Sequence, residues 1–346
     1  MSVAAPPAGA AAPATGIESP AARLLMRRHR LRWWETLPWL AGIAFYFAAP
    51  DYLGFGCDLL VTILFALSLD LALGYAGIIT LGHAAFFGVG AYTVGMLASY
   101  NIWTEPITSL LLAATTAGAV GFLSGLVLLR TTGLTLLMLT LCTMSLLYEA
   151  SNMGAAYTGG FDGLPSLPIG PVFGVFEFNP LYADTQYLFA LGVLLVCFVF
   201  VRTLVYSPFG QSLTGIRENV LRMHAIGSPV RHRLIVCYTI SAALAGIAGA
   251  LSAQTTAFVN LAVLGLDRAA TVLIVLILGG YGRLYGAFIG AVVYLALEHF
   301  LAQLYPTAWQ LGLGLLLVLI SLFARNGILG LGDTLWRRFR PRRGTS

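Results

Sequence analysis

Lysine is missing from all 346 residues: the 19 basic side chains are arginines, and charged residues make up only 10% of the chain. A phosphate-cradling loop of the GxxxxGK[ST] type needs a lysine to reach the β- and γ-phosphates. This sequence therefore has no such loop, and no Rossmann-type glycine fingerprint follows a strand pattern. If ATP drives the protein, another chain must bind it. Soluble domains carry about 25% charged residues, so the scarcity of charge excludes an ordinary water-soluble domain. Cysteine is scarce too: Cys57, Cys142, Cys197 and Cys237 stand far apart, in or beside apolar runs. No CxxC or Cys/His spacing suits zinc, so no metal site is expected and packed small hydrophobes are. Paired carboxylates and nucleophile–base spacings do not gather on one face, so no catalytic residue is expected either.

Hydrophobic residues supply 58% of the chain. A bilayer span needs about 20 mainly apolar residues. Hydropathy and breakers place ten spans near 37–53, 57–77, 84–100, 106–129, 133–152, 186–206, 234–256, 268–282, 284–304 and 307–324. The expected fold is an all-α integral membrane protein, a polytopic bundle of about ten transmembrane helices with both termini cytoplasmic. Eight spans result if the segments around 74–84 and 278–286 are re-entrant. Arginine tests the orientation, because positive residues stay on the cytoplasmic side. Arg27, Arg28, Arg130, Arg217, Arg222, Arg231, Arg233, Arg283 and Arg325 all fall inside on this layout, and only Arg268 falls outside, beside Asp267 as a pairing partner. Residues 1–36 read as an Ala/Pro-rich disordered tail and a basic segment, 37–325 as the membrane domain, and 326–346 as a basic cytoplasmic tail. Residues 153–185 form an external loop and 207–233 a cytoplasmic one. "AFFGVGAY" (85–92) is echoed by "AFIGAVVY" (287–294), which fits a duplication or chance likeness of glycine-rich helices.

Several polar or flexible features interrupt the apolar runs. "GYAGIITLGHAAFFGVGAY" (74–92) is dense in glycine. In lipid this serves either close helix packing or unwound backbone lining a path. Gly74, Gly77, Thr80, Gly82 and His83 are the candidate path residues. Asp70 falls inside a span, where a carboxylate must face protein or water; it binds solute or a proton, or caps the break at Gly74. His83 reads as a hydrogen-bonding turn residue, and Glu149, Glu298 and His299 as snorkelling side chains near outer helix ends. In "LTGIRENVLRMHAIG", Leu213, Ile216, Val220, Met223 and Ile226 recur at helical spacing, with Arg217, Asn219 and Arg222 off that stripe. Gly227 and Pro229 stop it. One short amphipathic helix is expected there, either docking a protein or lying on lipid headgroups.

Four blocks in order, "LGYAGIITLGHAAFFGVGAY", "YTGGFDGLPSLP", "SPFGQSLTGIRENVLRMHAIGSPVRHRL" with "ISAALAGIAGAL", and "LGGYGRLYGAFIGA", resemble the permease subunits of the bacterial branched-chain amino acid ABC importers. That family also includes urea and short-amide transporters. The resemblance runs from about Asp58 to Gly330. It implies a multi-pass protein of the bacterial inner membrane, without enzymatic activity or a bound cofactor of its own. ATP and Mg would sit on two partner ATP-binding subunits. The other partners implied are a second homologous permease, a periplasmic solute-binding protein and membrane lipids; no nucleic acid is involved. The cytoplasmic loop would be the coupling helix, with Gly215, Arg217, Glu218, Asn219, Ala225 and Gly227 matching the family pattern and Arg222 on the same helix. Many amino acid members have asparagine at the position of Asp70, glutamine at Ile78 and serine at Thr80. The acid here looks more like the urea-type branch, which leaves the substrate open. An ion-coupled secondary transporter using Asp70 is the contrasting class.

Overall fold

A computed structural model of the chain describes residues 36–165, 170, 183–304, 310–312, 314, 315 and 328. Nearly all of the expected tails at 1–36 and 326–346, most of the expected external loop, and most of the tenth span (307–324) lie outside the described residues. The rest is helical: α1 (Leu37–Ala48), α2 (Leu53–Leu69), α3 (His83–Ser99), α4 (Pro106–Leu128), α5 (Leu134–Met153), α6 (Ala155–Thr158), α7 (Ala183–Tyr206), α8 (Pro208–Glu218), α9 (Val220–Ala225), α10 (Val230–Thr256), α11 (Leu266–Gly279) and α12 (Gly286–Leu304). Among the described residues the one β-type pairing is a bridge between Leu164 and Val259. It ties the end of "YTGGFDGL" to the turn that follows α10.

Among the described residues, six stretches are long and apolar enough to cross a membrane: Pro50–Tyr75, Pro106–Leu128, Leu134–Met153, Ala183–Tyr206, Val230–Thr256 and Gly286–Leu304. Helices α1, α3 and α11 match three more expected spans but have only 12, 17 and 14 residues. At 1.5 Å per residue, even α3 falls somewhat short of a hydrocarbon core of about 30 Å. Both segments suspected of re-entry are breaks. The chain leaves helical geometry between Tyr75 and His83, and turns between Gly279 and Gly286.

Helix α10 is the axis of the bundle and packs along α2, α3 and α4. Small residues make this possible. A side chain at Gly90 of α3 would strike the Gly246 backbone of α10, and one at Gly121 of α4 would strike Ala242. Lipid tails are as apolar as leucine, so burial of apolar surface gives little drive for helix association here. Close van der Waals approach has to supply it, and only small residues permit that. Polar ties fix the register: Gln254 Nε2 donates to Pro106 O and Ser109 Oγ, each at 2.9 Å, and Tyr187 Oη donates to Gly42 O at 2.9 Å.

The loop at 207–233 departs from expectation. The apolar stripe does not run along one helix, because the chain is extended at Asn219 (φ −158°, ψ 102°) and forms α8 and α9. Asn219 Oδ1 accepts from Arg222 N at 2.9 Å and so caps the second helix. An asparagine that can satisfy an orphan helix donor starts a new helix more readily than it continues an old one. The stripe is thereby split: Leu213 and Ile216 are buried, while Val220 and Ile226 are exposed.

Gly90→Leu should prevent the folded protein from accumulating, whereas Gly192→Ala, which places its methyl in open space, should accumulate like the wild type. Size-exclusion profiles in mild detergent distinguish the two.

Candidate functional site

Helix α2 does not end cleanly. It widens into a π-turn, Asp70–Tyr75, in which Ala76 N reaches back to Leu71 O at 3.3 Å and Ile78 N to Ala72 O at 2.9 Å. Such widened turns inside helices recur at functional sites. Gly77 then takes φ +74°, a conformation that glycine adopts at no steric cost. The break leaves backbone groups without helical partners, and in a membrane other segments have to supply them.

Asp70 is fully buried. Its Oδ1 accepts from the backbone N–H of Gly282, 2.6 Å away in the turn before α12. A side chain at Gly74 would strike both that carboxylate and Gly282 N, so Gly74 is the position that lets the two segments meet. Arg217, from the end of α8, lays its stem over Gly77 and donates from Nη1 to Gly74 O. Its guanidinium carbon lies 5.3 Å from the ring centre of Tyr281. Arg217, Tyr281, Gly282 and Arg283 line a polar cavity of about 290 Å³ on this side. The π-turn, the 207–233 loop and the 280–285 turn, remote in sequence, therefore form one junction. Two further bonds hold it from α10: Cys237 Sγ to Leu71 O at 3.5 Å and Ser241 Oγ to Ser68 O at 2.5 Å.

Thr80, Gly82 and His83 lie on the far side of the break and are not drawn to Arg217. Thr80 Oγ1 accepts from Gly82 N at 3.1 Å, and Gly82 sits against the Thr140 backbone of α5. His83 opens α3 and is buried, its ring stacked on Phe65 at 5.7 Å. Ser68 Oγ donates to Phe65 O at 2.7 Å, so it accepts from His83 Nε2 at 3.0 Å. This assigns the ring proton to Nε2.

Of the loop residues, Arg217 alone points back to the break. A side chain at Gly215 would meet Met223, Asn219 caps α9, and Gly227 closes it at φ +78°. Glu218, Arg222 and Ala225 are exposed. In the sequence, "LGGYGRLYG" reads as a re-entrant break and not as a partner of Asp70. Its two glycines with positive φ, Gly280 and Gly282, were the available signal of a specialised turn. The Arg268 guanidinium lies over Phe87 of α3, 5.5 Å from the ring centre.

Comparison with known proteins bears on this arrangement. The family described as branched-chain amino acid transport system / permease component matches residues 55–322. The chain belongs to that family. It is 28% identical over 294 residues, 78% of this chain and 68% of the relative, to the high-affinity branched-chain amino acid transport system permease protein LivM of Escherichia coli K12. It is 26% identical over 322 residues to a probable LivM of Methanocaldococcus jannaschii, covering 76% of this chain and 89% of that one. No solved structure matches. The permease is thus a multi-pass membrane protein, and its relatives are transport components and not enzymes. The matched region contains the whole junction, from Asp70 to Gly282.

Asp70→Ala leaves the part-buried Gly282 N–H without its acceptor, which costs about 1–3 kcal/mol. Asp70→Asn keeps an accepting oxygen there. The alanine variant should lose more thermal stability than the asparagine variant, as read by unfolding in detergent; equal losses would remove the Gly282 bond from the account.

Proposed function

We propose that this permease is the membrane subunit of an ATP-driven importer for branched-chain amino acids or related small solutes. In this reading it lies in the bacterial inner membrane with ten spans and both termini cytoplasmic. It pairs with a second, homologous permease and takes solute from a periplasmic binding protein. Two ATP-binding subunits carry ATP and Mg, and the chain itself binds neither.

One observation supports this most directly. Helix α9 presents Leu221 and Ile226, 80% and 70% exposed, beside exposed Glu218 and Arg222. An apolar knob with a charged rim suits a groove on a protein partner. The adjoining α8 is seated in the permease by Leu213 and Ile216, and Arg217 connects it to the π-turn. Movement of a bound ATPase would reach the broken helix through that guanidinium, with nucleotide favouring one arrangement of the junction over the other. Asp70 serves in this reading as part of the joint and not as a proton relay, since it is fully buried and bonded to Gly282.

Leu221→Asp with Ile226→Asp should leave the permease inserted and folded while ATPase subunits no longer co-purify and ATP-driven uptake falls at least about tenfold, a loss of roughly 1.4 kcal/mol or more in coupling. Retained co-purification and uptake would move the docking surface elsewhere.

A further inference from the structure

Helix α5 is the least covered of the six membrane-length stretches. Only 17% of its most apolar stretch is buried, against 28% to 83% in the other five. Its buried positions are Leu136, Thr140 and Met144, a narrow face set against the bundle. Thr135, Met138, Cys142, Ser145 and Glu149 are all exposed. They recur at alternating spacings of three and four. At about 100° per residue they form a strip roughly 80° wide, opposite the buried face, and span about 21 Å of helix axis. That is most of a hydrocarbon core of about 30 Å.

Lipid tails offer such a strip no hydrogen-bond partner. Exposed hydroxyls on two other spans turn back on their own helix: Thr115 donates to Leu112 O and Thr203 to Val199 O, both at 2.8 Å. Among the described residues, the hydroxyls of Thr135 and Ser145 make no such bond, and Glu149 meets no cation. An intramembrane carboxylate is costly unless protein or water receives it. A spacing that averages 3.5 residues keeps one strip facing a neighbouring helix along its whole length. Small hydroxyl and thiol side chains let two backbones approach closely and bond across the seam. The strip therefore suits a second helix with polar side chains of its own, and suits acyl chains poorly.

We infer that α5 is the face on which a second permease subunit packs, with Thr135, Cys142, Ser145 and Glu149 meeting polar side chains of one of its membrane helices. That the partner is a permease rests on the importer reading; that a protein helix covers the face rests on α5 itself. The test uses the full chain in the membranes of its host. The photo-cross-linker p-benzoylphenylalanine replaces either Leu146, 68% exposed at the edge of the strip, or Val196, 67% exposed on α7. Irradiation should join the Leu146 variant to a second permease, identified by mass spectrometry, and should leave the Val196 variant unjoined. Equal yields at both positions, lipid adducts alone, or an adduct with some other protein would overturn the seam. Ser145→Leu with Glu149→Leu makes the strip apolar, so the chain should still accumulate in the membrane while co-purification of the second permease falls at least about tenfold. Unchanged co-purification would overturn the seam too. The wild type supplies an arm that needs no variant, because Cys57, Cys197 and Cys237 are buried and Cys142 is exposed. A membrane-impermeant thiol reagent should leave Cys142 unlabelled in the assembled complex; rapid labelling would replace the seam with a water-lined path. Failure of ATP-binding subunits to co-purify would sink the importer reading alone, and the cross-link would still decide what covers α5.

Discussion

A broken helix inside a membrane has to find partners for the backbone groups it frees, and this fold is arranged around meeting that demand. Between Tyr75 and His83 the chain leaves the regular helical hydrogen-bond ladder, and lipid offers no partners in return. Distant segments bond to the helix end beside this break: the Gly282 N–H to the Asp70 carboxylate, Arg217 to Gly74 O, Cys237 to Leu71 O and Ser241 to Ser68 O. Each of these contacts fixes the position of a separate piece of chain. The joint therefore sets where α8, α10 and α12 can sit.

The same demand explains the run of small residues in α3, α4 and α10. A bond such as Ser241 to Ser68 requires two helix backbones to approach closely, and bulky side chains would hold them apart. Gly90 against Gly246, and Gly121 against Ala242, provide the same closeness between α10 and its other two neighbours, α3 and α4.

The loop at 207–233 divides its work between two short helices. Helix α8 faces inward, with Leu213 and Ile216 buried, and α9 faces outward. A single continuous helix would have placed all five stripe residues on one face and could not have served both surfaces. The kink at Asn219 separates them while keeping Arg217 within one residue of the exposed edge. That proximity is what would make the loop a transmitter in the proposed importer, and it concentrates the mechanical link in one side chain.

Much of this was written plainly in the sequence. Apolar runs of bilayer length, with arginine gathered in particular loops, give a helical membrane protein, because hydropathy and hydrogen-bond satisfaction leave no other spanning form in so apolar a chain. The breaks at 74–84 and 278–286 were signalled by glycine, and four ordered blocks pointed to the family. The partners of the polar residues could not be read this way. Asp70 and Gly282, or Arg268 and Phe87, are brought together only by how the helices pack, and spacing along the chain carries no trace of it. Whether Val220 continued the stripe of Leu213 was also undecidable locally. It depended on whether Asn219 would cap a new helix, which is a competition between side-chain and backbone hydrogen bonds that the surrounding packing resolves.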